Sequence, residues 1–259
     1  MFSTLKAEFK KLLTVRSTYA IMLVALLLTG FLSFYVQGYK TIFSGPSVKD
    51  SLFLTGSITQ HANTISIFGA LIALLLLAHE YRYNTIVYTL TASNSRSKVL
   101  ASKIIAVLTF VFCYALVLTA ISFGLTIAGV AAAGHHLPIQ DINYLTYFGK
   151  VIFVCEGYAL VGLLFAALIR SMPAAIAFLF IVPNTVEGLL SLLLKHNSVY
   201  MPFTALQQVV QAPVIARAPE RRLADSGYLS APKGALVFLA YLIGAWIITW
   251  YLFLRRDAA

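Results

Sequence analysis

The sequence predicts an all-α membrane protein: six transmembrane helices, an N-terminal interfacial amphipathic helix, and external re-entrant helices between the fifth and sixth spans. Three observations carry this. Of the 259 residues, 60% are hydrophobic and only 11% charged, where soluble domains carry roughly 25% charge. The mean hydropathy is +0.86, more apolar side chain than a water-soluble fold of this length can hide. The apolar residues also gather into runs of about 20, the length a helix needs to cross the hydrocarbon core. The formal net charge of +10 does not mark a nucleic-acid partner, because the basic residues sit at the ends of the apolar runs. Cys113 and Cys155 both fall inside apolar runs and form no CxxC pair, which argues against a metal or redox motif.

The elements follow in chain order. In residues 1–17, Phe2, Leu5, Phe9, Leu12 and Leu13 recur at steps of three and four, with Lys6, Lys10 and Lys11 largely elsewhere on the wheel. This pattern predicts a cytoplasmic amphipathic helix lying on an anionic leaflet; the alternative is a plain extension of the first span. The apolar run after it is too long for the h-region of a cleaved signal, about 7–15 residues. Residues 18–259 then form one six-span transmembrane domain. The spans are Thr18–Gly38, Thr59–Ala78, Ile104–Ala131, Tyr147–Ile169, Pro173–Leu194 and Gly234–Leu254. The third is long enough to tilt or to end outside the membrane. As far as Arg170, nine basic residues fall on the side of the N-terminus and three on the other. Short early loops carry most of the orientation signal, so both termini are expected in the cytoplasm of a bacterial cell.

Two polar segments stand out. Residues 79–103 mix apolar and polar letters, which predicts a short helix over Tyr83–Leu90. A turn at Ser93-Asn94-Ser95 follows, with Ser95 or Ser97 capping the third span. Residues 195–233 carry Pro202, Pro213, Pro219 and Pro232. An apolar stretch Val199–Ile215 precedes a basic turn Arg217–Asp225. Non-helical backbone at membrane depth must be buried in protein or line water, so this segment is expected to cap the outer mouth.

Catalytic and nucleotide motifs are absent from the sequence. No GxxxxGK[ST] or GxGxxG loop occurs, His79-Glu80 does not complete HExxH, and no GxSxG elbow appears. His135, His136 and Asp141 read as a solvated loop, since adjacent histidines rarely chelate one ion. Two acidic residues interrupt spans, Glu156 in the fourth and Glu187 in the fifth, and charge at that depth usually faces the protein interior or a water-filled cavity. Either one lines a path or serves structure, Glu156 by a structural hydrogen bond or by pairing with Lys150. Pro183 predicts a kink in the fifth span, with Asn184 placed to satisfy the freed backbone.

The order of these features resembles a known family. A basic amphipathic N-terminal helix (Leu5-Lys6-Ala7-Glu8-Phe9-Lys10-Lys11-Leu12) is followed by Arg16-Ser17-Thr18 and a span. The second span ends in Glu80-Tyr81-Arg82-Tyr83-Asn84-Thr85-Ile86. Ser95-Arg96 and Leu100-Ala101-Ser102-Lys103 lead into the third span, and Val182-Pro183 with Glu187 and Met201-Pro202-Phe203 come later. This is similar to the small six-span permease subunits of ABC transporters of the ABC-2 exporter type. Asn84 stands where that family often has glycine, and Ser93-Asn94-Ser95 replaces its usual proline turn. The resemblance implies a permease that forms the substrate pathway as a homodimer or related heterodimer in the cell membrane, among lipid. A separate cytoplasmic ABC ATPase would bind ATP and Mg, with no cofactor and no enzyme activity in this chain. Glu80, Tyr81, Arg82, Asn84, Thr85 and Arg96 would couple to the ATPase. Glu156, Pro183, Asn184, Glu187, Pro202 and Phe203 would lie along the pathway or its outer gate. Two other classes remain open on the residues alone: a self-contained secondary transporter or channel using Glu156 and Glu187, and an intramembrane enzyme, for which no nucleophile–base or metal set appears.

Overall fold

The computed structural model describes residues 2–40, 51–92, 95–137, 139, 142–211 and 229–255. Among the described residues nine longer helices follow one another: α1 Phe2–Thr14, α2 Arg16–Lys40, α3 Ser51–Arg82, α4 Ile86–Ala92, α5 Arg96–Ala132, α6 Tyr144–Ile169, α7 Met172–Leu194, α8 Pro202–Gln211 and α9 Ala231–Arg255, with a 3-10 helix, Lys195–Tyr200, joining α7 to α8. Among the described residues no strand occurs. Six helices, α2, α3, α5, α6, α7 and α9, are long and apolar enough to cross a membrane.

The expected spans are all present, and several reach further than hydropathy shows. α3 extends beyond Thr59–Ala78 at both ends because polar residues there are covered: Ser57 and Glu80 are buried, so no lipid meets them. At 37 residues, α5 is about 55 Å long, well beyond a hydrocarbon core of roughly 30 Å. Residues 96–103, read from the sequence as loop, are its first two turns. Val15 is extended (φ −78°, ψ 122°) and separates α1 from α2, so α1 is not a straight continuation of the first span. Arg217, Pro213, Pro219, Asp225, Asp141 and the Ser93-Asn94 turn lie outside the described residues, while His135 and His136 are exposed.

α3 and α6 form the centre of the bundle, with 67% and 61% of their most apolar stretches buried, against 11% for α7. Small residues let backbones meet. A Cβ on Gly162 of α6 would lie 2.4 Å from the Ala70 carbonyl oxygen of α3, and one on Gly129 of α5 would lie 2.2 Å from the Phe34 carbonyl oxygen of α2. Both neighbours are backbone and cannot swing aside. Gly162→Ala should therefore cost about 1–3 kcal/mol by overpacking, read as a lower unfolding midpoint in detergent. A midpoint equal to wild type would show that the two helices separate freely.

The N-terminal end of the bundle is gathered by side chains from distant segments. Arg96 donates to the Leu254 carbonyl (3.3 Å) and Arg82 to Met172 Sδ (3.7 Å). The Arg170 guanidinium lies over the Tyr81 ring, 5.6 Å from its centroid.

Candidate functional site

The N-terminal end holds a compact charged joint. Lys103 Nζ, on α5, donates to Glu8 Oε2 (2.9 Å) on α1 and to Glu80 Oε1 (2.7 Å) on α3. Lys11 Nζ donates to the same two carboxylates, at 3.0 Å to Glu8 Oε1 and 2.5 Å to Glu80 Oε1. Two acids and two lysines thus balance. The Lys103 and Glu8 side chains are fully buried, Glu80 nearly so, and Lys11 is 35% exposed. Buried ions are tolerated when paired and hydrogen-bonded. Burial alone would lower the Lys11 pKa, but the Glu80 and Glu8 carboxylates raise it above its ordinary value. Its contribution to stability is therefore present through the neutral range and is lost only as alkaline pH passes that raised value.

This corrects the sequence reading at two points. The lysines of α1 are not one basic face: Lys6 and Lys10 are exposed, whereas Lys11, one turn from Glu8, turns inward. Lys103 belongs to a buried network, because two carboxylates from other helices meet it.

The end of α3 turns sharply into α4. Asn84 has φ 54°. Thr85 N–H donates to the Glu80 carbonyl (2.9 Å) and Asn84 N–H to that of Tyr81 (3.3 Å). This is the double bond pattern of a Schellman motif with its C′ residue left-handed, a conformation asparagine adopts more readily than most residues. The turn expected from Asn84 in place of glycine is thus present. Glu80 is both a joint residue and an anchor of this turn; Arg82, Asn84 and Thr85 are exposed. Ser95 sits at the N-cap of α5, but its side chain makes no cap bond.

At the opposite end, Pro183 breaks α7 as expected. Val182–Val186 winds as a π-helix between Met172–Ile181 and Glu187–Leu194. Asn184 Nδ2 donates to the Phe180 carbonyl (2.9 Å), so a neighbouring carbonyl in the disturbed turn is satisfied by a side chain. Beyond the break Glu187 meets α8. Its Oε1 accepts from Phe203 N–H (2.8 Å), and its Oε2 accepts from Thr204 N–H (2.8 Å) and Thr204 Oγ1 (3.2 Å). Pro202 opens α8 at its first position, where a missing N–H costs nothing. The residue before it, Met201, has no side-chain oxygen to cap the helix. A carboxylate from another helix therefore supplies the N-cap and meets the positive end of the α8 dipole.

α8 is held by further polar ties: Gln207 Nε2 to Asn63 Oδ1 (2.7 Å), and Leu229 N–H to Gln208 Oε1 (2.9 Å). Between α7, α8 and α3 lies a cavity of about 160 Å³, lined by Pro183, Asn184, Asn63, Ser66, Tyr158 and Gln207 among others. The structure thus brings Pro183 and Asn184 together at one cavity, and Glu187, Pro202 and Phe203 together at one cap.

Glu156 stands apart from them. Its Oε2 is buried with no hydrogen-bond partner among the described residues. It does not pair with Lys150: six residues on a helix place the two about 120° apart. One buried polar cluster escaped the sequence reading. His61 on α3 lies 3.0 Å from Ser33 Oγ on α2 through Nε2 and 2.5 Å from Tyr147 Oη on α6 through Nδ1. Thr126 Oγ1 on α5 is 3.4 Å from Nε2. It ties four spans together, and its members appear in the sequence only as isolated polar letters in apolar runs.

Six helices of membrane-spanning length, with a charged joint at one end of the bundle and a capped short helix at the other, define a multi-pass membrane protein. The profile described as ABC-2 family transporter protein matches residues 4–184, and the chain belongs to that family. No curated protein matches it.

Proposed function

We propose that the chain is the permease subunit of an ATP-driven exporter in a bacterial cell membrane, with both termini cytoplasmic. Two copies, or this chain and a relative, form the substrate pathway. A separate cytoplasmic ATPase, which binds ATP and Mg, drives it. Family membership supports the transport role. The observation that carries the coupling is the four-charge joint. It fastens α1 to the bases of α3 and α5 at the point where α3 turns into α4. A push on α4 or α1 therefore reaches two spans as one rigid displacement. In this reading Arg82, Asn84, Thr85 and Arg96 belong to the surface that meets the ATPase, and Glu80 and Tyr81 act from beneath it.

The dimer reading rests on α7. Asn184 and Thr185 are exposed on a helix of membrane-spanning length, and polar side chains at that depth face protein or water, not lipid. A second copy or a water-lined pathway on this face meets that requirement. Glu187, taken up by three hydrogen bonds to α8, then works as the fastener of the outer gate, with Pro183 as its kink.

Arg82→Glu should reduce co-purification of a nucleotide-binding partner about tenfold, equivalent to about 1.4 kcal/mol, while membrane insertion stays intact. Quantitative affinity purification from native membranes reads this. Equal recovery of the partner and equal transport would count against α4 as the docking element. Absence of any ATPase from the wild-type complex would favour a self-contained transporter.

A further inference from the structure

A cavity of about 690 Å³ opens beside the charged joint. It runs from Glu80 down α3 to Ile72, a depth of about 12 Å at the rise of a helix. Its deep part is apolar, floored by Ile72, Leu75 and Leu76. Its lining also takes in Arg16, Ser17 and Glu80, with Tyr88 and Thr89 of α4. Two polar atoms here lack partners among the described residues. Glu80 Oε1 is taken by Lys11 and Lys103, but Glu80 Oε2 and Ser17 Oγ are buried and unmatched. Arg16 is exposed and enters no ion pair among the described residues.

These features make three demands on an occupant. A buried carboxylate oxygen needs a hydrogen-bond donor. A free guanidinium at the start of a span needs an anion, phosphate being well matched to its planar fork. An apolar trough about two turns deep into a span needs hydrocarbon. Water meets the first and not the last. One molecule of the surrounding bilayer meets all three.

We propose that this cavity is a binding site for a phospholipid whose headgroup ammonium carries N–H donors. The ammonium donates to Glu80 Oε2 and Ser17 Oγ, the phosphate lies on Arg16, and an acyl chain lies along Ile72, Leu75 and Leu76. The lipid then bridges the α1–α2 elbow, α3 and α4, sharing α1 and α3 with the charged joint. The site rests on the geometry of the cavity and on the chain's membrane location, and stands whether or not an ATPase docks on α4.

The test compares two lipids of equal charge that differ in the donors. The full chain, with any partner that co-purifies, is placed in nanodiscs of equimolar phosphatidylethanolamine and phosphatidylcholine, and the lipids it retains on release are counted by native mass spectrometry. Phosphatidylethanolamine should be retained about fivefold over phosphatidylcholine, equivalent to about 1 kcal/mol. Ser17→Ala should lower that ratio about twofold. Arg16→Gln should lower retention of both lipids together, because both carry the phosphate. Leu76→Trp, which fills the trough, should abolish retention of both. Equal retention of the two lipids by the wild-type chain overturns the proposal. So does a preference that survives both Ser17→Ala and Leu76→Trp, or cross-linking of a cysteine at Thr89 to a protein segment seated in the cavity.

Discussion

Lys103→Met should destabilise the folded chain by about 3–5 kcal/mol, the usual penalty for removing one partner of a buried charge pair. Methionine keeps most of the stem of the lysine, so the packing loss is small and the loss of charge dominates. Glu8 and Glu80 would then both depend on Lys11, which is the half-exposed member of the joint. Two fully or nearly buried carboxylates beside one ammonium leave one negative charge uncompensated in a region of low dielectric. Adding Glu8→Gln to Lys103→Met removes the surplus charge and should recover about 1–3 kcal/mol, the coupling expected between direct partners. Denaturant unfolding in detergent gives both numbers. A Lys103→Met chain within about 0.5 kcal/mol of wild type, the scatter of ordinary surface substitutions, would mean that the joint does not hold α1. If α1 carries force from an ATPase, transport by the single variant falls further than its abundance, and the double variant restores abundance before transport.

The sequence made the scaffold readable for a simple physical reason: lipid allows few alternatives to a helix of about 20 apolar residues. The kink at Pro183 and the turn at Asn84 were also legible, because proline lacks an N–H and asparagine accepts a left-handed backbone, wherever the rest of the chain goes. The joint was not. Lys103 lies 95 residues from Glu8 and 23 from Glu80, and nothing local marks a lysine at a helix start as buried. On the helical wheel Lys11 looked like one more member of a basic face. Its inward turn depends on Glu80, which belongs to another helix. Span ends were underestimated for the same reason: Ser57 and Glu80 count as polar in a hydropathy window, though neighbouring helices cover them. Local rules read what the backbone must do, and they miss pairs formed across helices.

Glu187→Ala should release the start of α8. It removes all three acceptor contacts, to the N–H groups of Phe203 and Thr204 and to the Thr204 hydroxyl. Hydrogen bonds to charged groups contribute about 1.5–3 kcal/mol, and loss of a helix N-cap costs about 0.5–2 kcal/mol. Hydrogen exchange in Phe203–Gln208 should therefore quicken about 10–100-fold, equivalent to about 1.4–2.7 kcal/mol of local opening. The conservative variants separate two roles for this carboxylate. Glu187→Gln keeps one carbonyl acceptor and loses the charge facing the helix dipole, so a cap predicts an exchange rate between wild type and alanine. Glu187→Asp keeps the charge but shortens the reach by one methylene across a gap set by two helices, so it should also fall short of wild type. A cation-binding carboxylate makes a different pattern: Gln would abolish transport as fully as Ala while exchange in α8 stayed at the wild-type rate. The cap instead ties the two readouts together, so transport and α8 protection fall in the same order across the three variants. That shared order would mark α8 as an element whose position the fifth span sets, because among the described residues the carboxylate that caps it sits just past the kink at Pro183.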